Sequence, residues 1–184
     1  MDEEQTKTMT LEAFADTIIP GEKRADDDHA IAGVSEGGGA VAAGALELLH
    51  DPAAGVAVGL PYLAIALNGH AKTYADERGL ELDGSLPAFV ALSYSDRAAL
   101  IEILTAPGHP EKDGWVLLAL FCNMSFDVAP HMHTKDAFDA GHPGLLAMGY
   151  ARPGEDGLYR FPEYSYGIEL AKRHPDTNEW GSLA

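Results

Sequence analysis

The densest set of chemistry-bearing side chains lies in the stretch SFDVAPHMHTKDAFDAGHPG, Ser125 to Gly144, which places three histidines and three aspartates around two prolines and two glycines. Asn123 and Asp127 are four apart on a predicted helix and share a face, and His131 and His133 follow just past its break at Pro130. If the chain turns back there, one carboxylate and two imidazoles converge. As metal ligands, two histidines and a carboxylate form the facial set of non-haem iron, and three nitrogen or oxygen ligands also suit catalytic zinc. Without a metal, Asp127 would hold the tautomer of His131 or His133 and raise its pKa, giving a general acid/base pair. His142 joins the candidates because the flanking glycines and Pro143 fix the turn that aims its ring.

Two considerations weigh against the metal. His-x-His spacing aims both rings one way on a strand, whereas on a helix they diverge by about 200°. Nor are two Glu-x-x-His motifs present on facing helices, as the di-iron type requires. A third reading needs no chemistry, since the last four carbonyls of a helix lack partners and polar or cationic side chains are favourable there. Capping or solvent exposure explains His50 and His174 beside helix ends and His29 in an acidic loop; His70, near the buried face of the long helix, and His109, in a turn before Pro110, are harder to place, and a satisfied buried histidine is the default for His70. No phosphate loop, dinucleotide fingerprint or His-Glu-x-x-His occurs.

The elements that would position these residues are helical. Leu11, Phe14, Ala15 and Ile18 predict a first helix capped by Thr10 and stopped by Pro20-Gly21, with residues 1–9 mobile. The EGGGA run reads as a flexible lead-in to an alanine-rich helix over 39–50, in which Gly44 allows another helix to approach closely. Leu60, Leu63, Ala64, Leu67, Ala71 and Tyr74 predict the longest helix, starting or kinking at Pro61 and capped by Gly79. Ser93 or Ser95 caps the next, ended by Pro107. WVLLALFCNMSFDVA is apolar on every side for two turns, which predicts a central helix surrounded by others. Thr134 caps a further short helix that Gly141 stops, and residues 141–184 read as an extended aromatic arm, packed on the body, with one short helix at SYGIELAKR. The expectation is one all-α domain over 1–184, a compact bundle of five or six helices around a central apolar helix.

Charge and length bound the partners. With 29 acidic and 12 basic residues and a formal charge of −17, the chain repels nucleic acid and acidic membrane surfaces. The single cysteine, Cys122, excludes an intramolecular disulfide and a Cys-rich zinc site. The acidic N-terminus lacks a twin arginine and an apolar core of signal-peptide length, and no stretch approaches a membrane span, so a cytoplasmic location is expected.

Two stretches carry a resemblance. LEAFADTIIPGE at 11–22 and GHPGLLAMGYARPGEDGLYRFPEYSYG at 141–167 resemble the gluconate 2-dehydrogenase subunit 3-like proteins, and more closely an uncharacterised actinobacterial branch. The resemblance implies a small helical subunit that pairs with a large FAD-dependent oxidoreductase of the glucose-methanol-choline class and supports its folding, export or docking. The flavin and catalytic histidine would then belong to the partner, and this chain would bind no cofactor of its own. Residues 15–20 and 141–150 would be structural and contact positions. The tail aromatics Tyr150, Tyr159, Phe161, Tyr164, Tyr166 and Trp180 are types enriched at interfaces. The alternative is a free-standing cytoplasmic enzyme acting on a small specialised metabolite through Asp127, His131, His133 and His142. A small-ligand carrier and a homo-oligomer complete the set.

Overall fold

The structure, a computed structural model, describes residues 1–152. The chain divides into two units, Met1–Tyr150 and Ala151–Ala184, and every described helix lies in the first. The SYGIELAKR helix, His174 and the aromatic positions from Tyr159 to Trp180 fall outside the described residues.

The fold is all-α, with no strand among the described residues. The first helix, α1, runs Glu3–Ile18 and begins well before Thr10. Asp2 and Gln5 form a capping box, the Asp2 carboxylate accepting from the Gln5 amide at 2.8 Å and the Gln5 side chain accepting from the Asp2 amide at 3.1 Å. Glu3 and Glu4 complement the helix dipole, so residues 3–9, expected to be mobile, form its first turns. Thr10 is no cap; buried inside the helix, its hydroxyl donates to the Thr6 carbonyl.

After α1 the chain runs without helix to α2, Ala45–His50, which is half the length the alanine-rich pattern predicts. Gly44 has φ +81°, a left-handed conformation that ends any helix running through it. The glycine run serves the end of α1, with Glu22 donating to the Gly37 carbonyl and Ala40 to that of Ile19. Helix α3, Leu60–Arg78, follows its predicted period, burying Leu60, Ala64, Leu67, Ala71 and Tyr74 and ending at Gly79. A single turn α4, Ala88–Ala91, precedes α5, Tyr94–Thr105, which Ser93 caps through the Asp96 amide. Then come α6, Lys112–Val128, α7, Thr134–Asp139, and α8, Pro143–Ala147. These make eight α-helices among the described residues rather than five or six. The additional ones are short, and α8 occupies the start of the segment expected to be an extended arm.

The helix surrounded by others is α1, not α6: it packs against α2, α3, α4, α5 and α6. Its second half buries every residue from Ala13 to Thr17. Small side chains let neighbours approach on all sides, and the buried Asp16 carboxylate accepts from the amides of Gly21 at 3.1 Å and Ala32 at 2.8 Å. Burial raises the Asp16 pKa against those bonds. The Arg97 guanidinium, also buried, donates to the carbonyls of His29, Ala30, Val90 and Leu92. The main core gathers Phe14, Leu49, Leu67, Phe89, Leu104 and Trp115, with the Phe14 and Trp115 rings 6.3 Å apart. A second, smaller cluster of Ala129, Ala137, Phe138 and Leu145 lies under α7 and α8.

Candidate functional site

The sequence places its candidate residues at the end of α6, and the structure separates them by role. Helix α6 ends at Ala129, which takes a left-handed φ of 45° while almost fully buried. Asp127, half-buried on the last turn, makes no hydrogen bond or ion pair among the described residues. It does not pair with a histidine. His133, exposed, caps α7 by accepting from the Lys135 amide at 3.3 Å, the role expected of Thr134.

His142 is buried and caps α8. Its Nε2–H donates to the Ala43 carbonyl at 3.0 Å and its Nδ1 accepts from the Leu145 amide at 3.3 Å. Both ring nitrogens are thereby taken by the backbone, leaving none for proton transfer or a metal. Gly144 is required beside it, because a Cβ there would overlap the Phe126 carbonyl where α8 meets α6.

His131 is the candidate that turns inward. Its ring centre lies 6.3 Å from that of His142, and its Nδ1 is buried without a hydrogen-bond partner. The Nε2 edge sits against Gly44, where any Cβ would overlap it, so the element that Gly44 admits is an imidazole and not a helix. Burial pushes the His131 pKa down, the Glu47 carboxylate pulls it up, the His142 ring pushes it down and Asp51 pulls it up. The carboxylates that act on His131 therefore belong to α2 and its C-cap, not to Asp127. Together Gly44, Glu47, His131, Met132, His142 and Pro143 help to line an open cavity of about 360 Å³. No group of three or more His, Cys, Asp or Glu side chains among the described residues is arranged to hold a metal ion.

A second titratable cluster joins α3 to the start of α6. Glu111 Oε2 accepts from His70 Nε2 at 2.7 Å and from Trp115 Nε1 at 3.2 Å, while the Glu111 amide donates to His109 Nδ1 at 3.2 Å. The His70 ring stands edge-on to both His109 and Trp115. The His70 bond holds the Glu111 carboxyl below its ordinary range against the opposing effect of burial, with Trp115 adding to it. Sequence spacing offers the local members His109, Glu111 and Trp115, whereas His70 lies 41 residues from Glu111. His70 is half-buried and hydrogen-bonded to Glu111 rather than enclosed.

The outward face of α6 carries several exposed large apolar side chains beside the exposed Asp113. Trp115, Leu118, Cys122 and Ser125 point into the core, whereas Val116 is 42% exposed, Leu117 44%, Leu120 50% and Val128 53%. Cys122 lies fully inside, and burial pushes its thiol up to about 12. No helix among the described residues is long and apolar enough to cross a membrane.

No curated protein and no solved structure matches the chain. One family model matches it over residues 5–184, and the chain accordingly belongs to that family, a family of unknown function (DUF5987).

Proposed function

We propose that this protein is a small accessory subunit of a FAD-dependent oxidoreductase of the glucose-methanol-choline class, supporting its folding or docking. The observation that carries the binding role is the row Val116, Leu117, Leu120 and Val128, large apolar side chains left in water along one helix. A free chain gains nothing from them, while a partner that covers them removes their apolar surface from water. The choice of partner rests on the resemblance of 11–22 and 141–167 to the oxidoreductase small subunits. In this reading the flavin and the reacting groups belong to the partner, this chain binds no cofactor, and the pair works in the cytoplasm. The roles of His133 and His142 as helix caps accord with a subunit that does no chemistry itself.

Co-expression with the flavin oxidoreductase encoded nearest its gene tests the proposal. The two chains copurify, and the double variant Leu117→Glu, Leu120→Glu is made in normal amount but no longer copurifies. Failure of the unaltered chain to copurify, with no change in the yield or activity of the oxidoreductase, overturns it.

A second reading, a free-standing enzyme acting on a small specialised metabolite, draws on the orphaned His131 nitrogen beside a cavity. In that reading His131, not Asp127, is the residue whose replacement abolishes turnover.

A further inference from the structure

The cavity beside His131 has a definite chemistry. Nδ1 is buried with no acceptor in reach. A proton placed there would be a buried, unpaired N–H, which is costlier than an unpaired lone pair. The neutral ring therefore carries its proton on Nε2, at the edge set against Gly44 on the cavity wall. His142 supplies no free polar atom, since both its nitrogens are bonded to backbone. Glu47, exposed in the first turn of α2, is the one carboxylate in the lining among the described residues. The remaining wall is apolar, formed by Ala42, Ala43, Met132, Ala140 and Pro143.

We propose that this cavity binds a small uncharged hydroxyl compound, an alcohol whose oxygen accepts from His131 Nε2–H and whose proton is donated to the Glu47 carboxylate. Other ligand classes fail on the same groups. An anion meets Glu47, Asp51 nearby and a chain of formal charge −17. A cation pairs with Glu47 but leaves the His131 N–H facing a donor, and a hydrocarbon leaves both polar groups desolvated without a partner. A hydroxyl satisfies both, while the apolar wall takes the hydrocarbon body. The volume, about 360 Å³, is at the lower end of what small-molecule pockets enclose. The site shares no residue with the apolar face of α6, so it stands or falls independently of the oxidoreductase partnership.

Benzyl alcohol is a suitable probe, with toluene, benzylamine and benzoate as matched comparisons, added to the full chain at neutral pH. Long-range proton–nitrogen spectra of the histidine rings, with His131 assigned by its loss in His131→Gln, give both tautomer and occupancy. The expected result is a His131 ring protonated on Nε2, whose signals benzyl alcohol alone shifts saturably. Glu47→Gln, at an exposed position where folding is not at risk, weakens that binding by about tenfold or more, the loss expected for a hydrogen bond to a charged group. Toluene or benzylamine binding as well as the alcohol, unmoved His131 signals, or an unchanged affinity in Glu47→Gln each overturns the proposal.

Discussion

Adjacent leucines on α6 provide a direct test of the docking face, because Leu118 is 2% exposed and Leu117 is 44% exposed on the same helix. Alanine at either position leaves helix propensity nearly unchanged, so the difference between the variants reports packing. Leu118→Ala removes buried methyl groups and leaves a cavity among Trp115, Cys122 and their neighbours, costing about 3–4 kcal/mol. Leu117→Ala removes a side chain only partly covered and encloses no cavity, so about 1 kcal/mol or less is lost. The two variants of the free chain should differ by about 2–3 kcal/mol in urea unfolding at equal slope. In the presence of the partner the order of effects on complex formation reverses, with Leu117 dominating. Equal destabilisation of the free chain by the two substitutions would mean that Leu117 is already packed, and the argument for an unpartnered face would be refuted.

Two further outcomes follow from the titrating groups. Cys122, with its thiol pushed up to about 12 inside α6, stays unmodified by iodoacetamide at pH 8 in the folded chain and reacts once urea unfolds it, as intact mass will show. Rapid labelling of the folded protein would contradict that placement. Glu111 is held below its ordinary value of 4.5 chiefly by His70, so its contribution to stability is present above that value and is lost as pH falls through the lower folded-state value. Glu111→Gln should therefore flatten the acid side of the stability profile, read as the urea midpoint between pH 6 and pH 3; an unchanged profile would remove Glu111 from the account.

What could be read in advance follows from which interactions are local. Helix α3 and the Ser93 cap were legible because a period of apolar residues and a single cap lie within a few residues of one another. The start of α1 was not, since apolar periodicity begins near Leu11 whereas the helix is begun by the polar Asp2 and Gln5. The apolar sequence of α6 reads as a surrounded helix, but burial on all sides falls instead to α1, whose Ala13, Ala15 and backbone-satisfied Asp16 look less hydrophobic. At the site, the spacing of Asn123, Asp127, His131 and His133 describes one stretch of chain and fixes none of its distant partners. His142 meets Ala43 from 99 residues away, and Gly44 meets His131 through a positive φ that an alanine-rich helix pattern conceals. The cavity is a product of that crossing.

The four carbonyls gathered by Arg97 also bear on how the fold opens. Two of them, on His29 and Ala30, lie 68 and 67 residues before it, in the segment between α1 and α2 that has no helix of its own. Besides short-range bonds such as those of Asp28 to the Ala30 and Ile31 amides, that segment is held from one side by Asp16 on α1 and from the other by Arg97 on α5. Its path therefore depends on the packing of both helices, which predicts that it opens as one unit. Amide exchange at Gly21 and Ala32 should occur together, through an opening that leaves α1 and α5 intact.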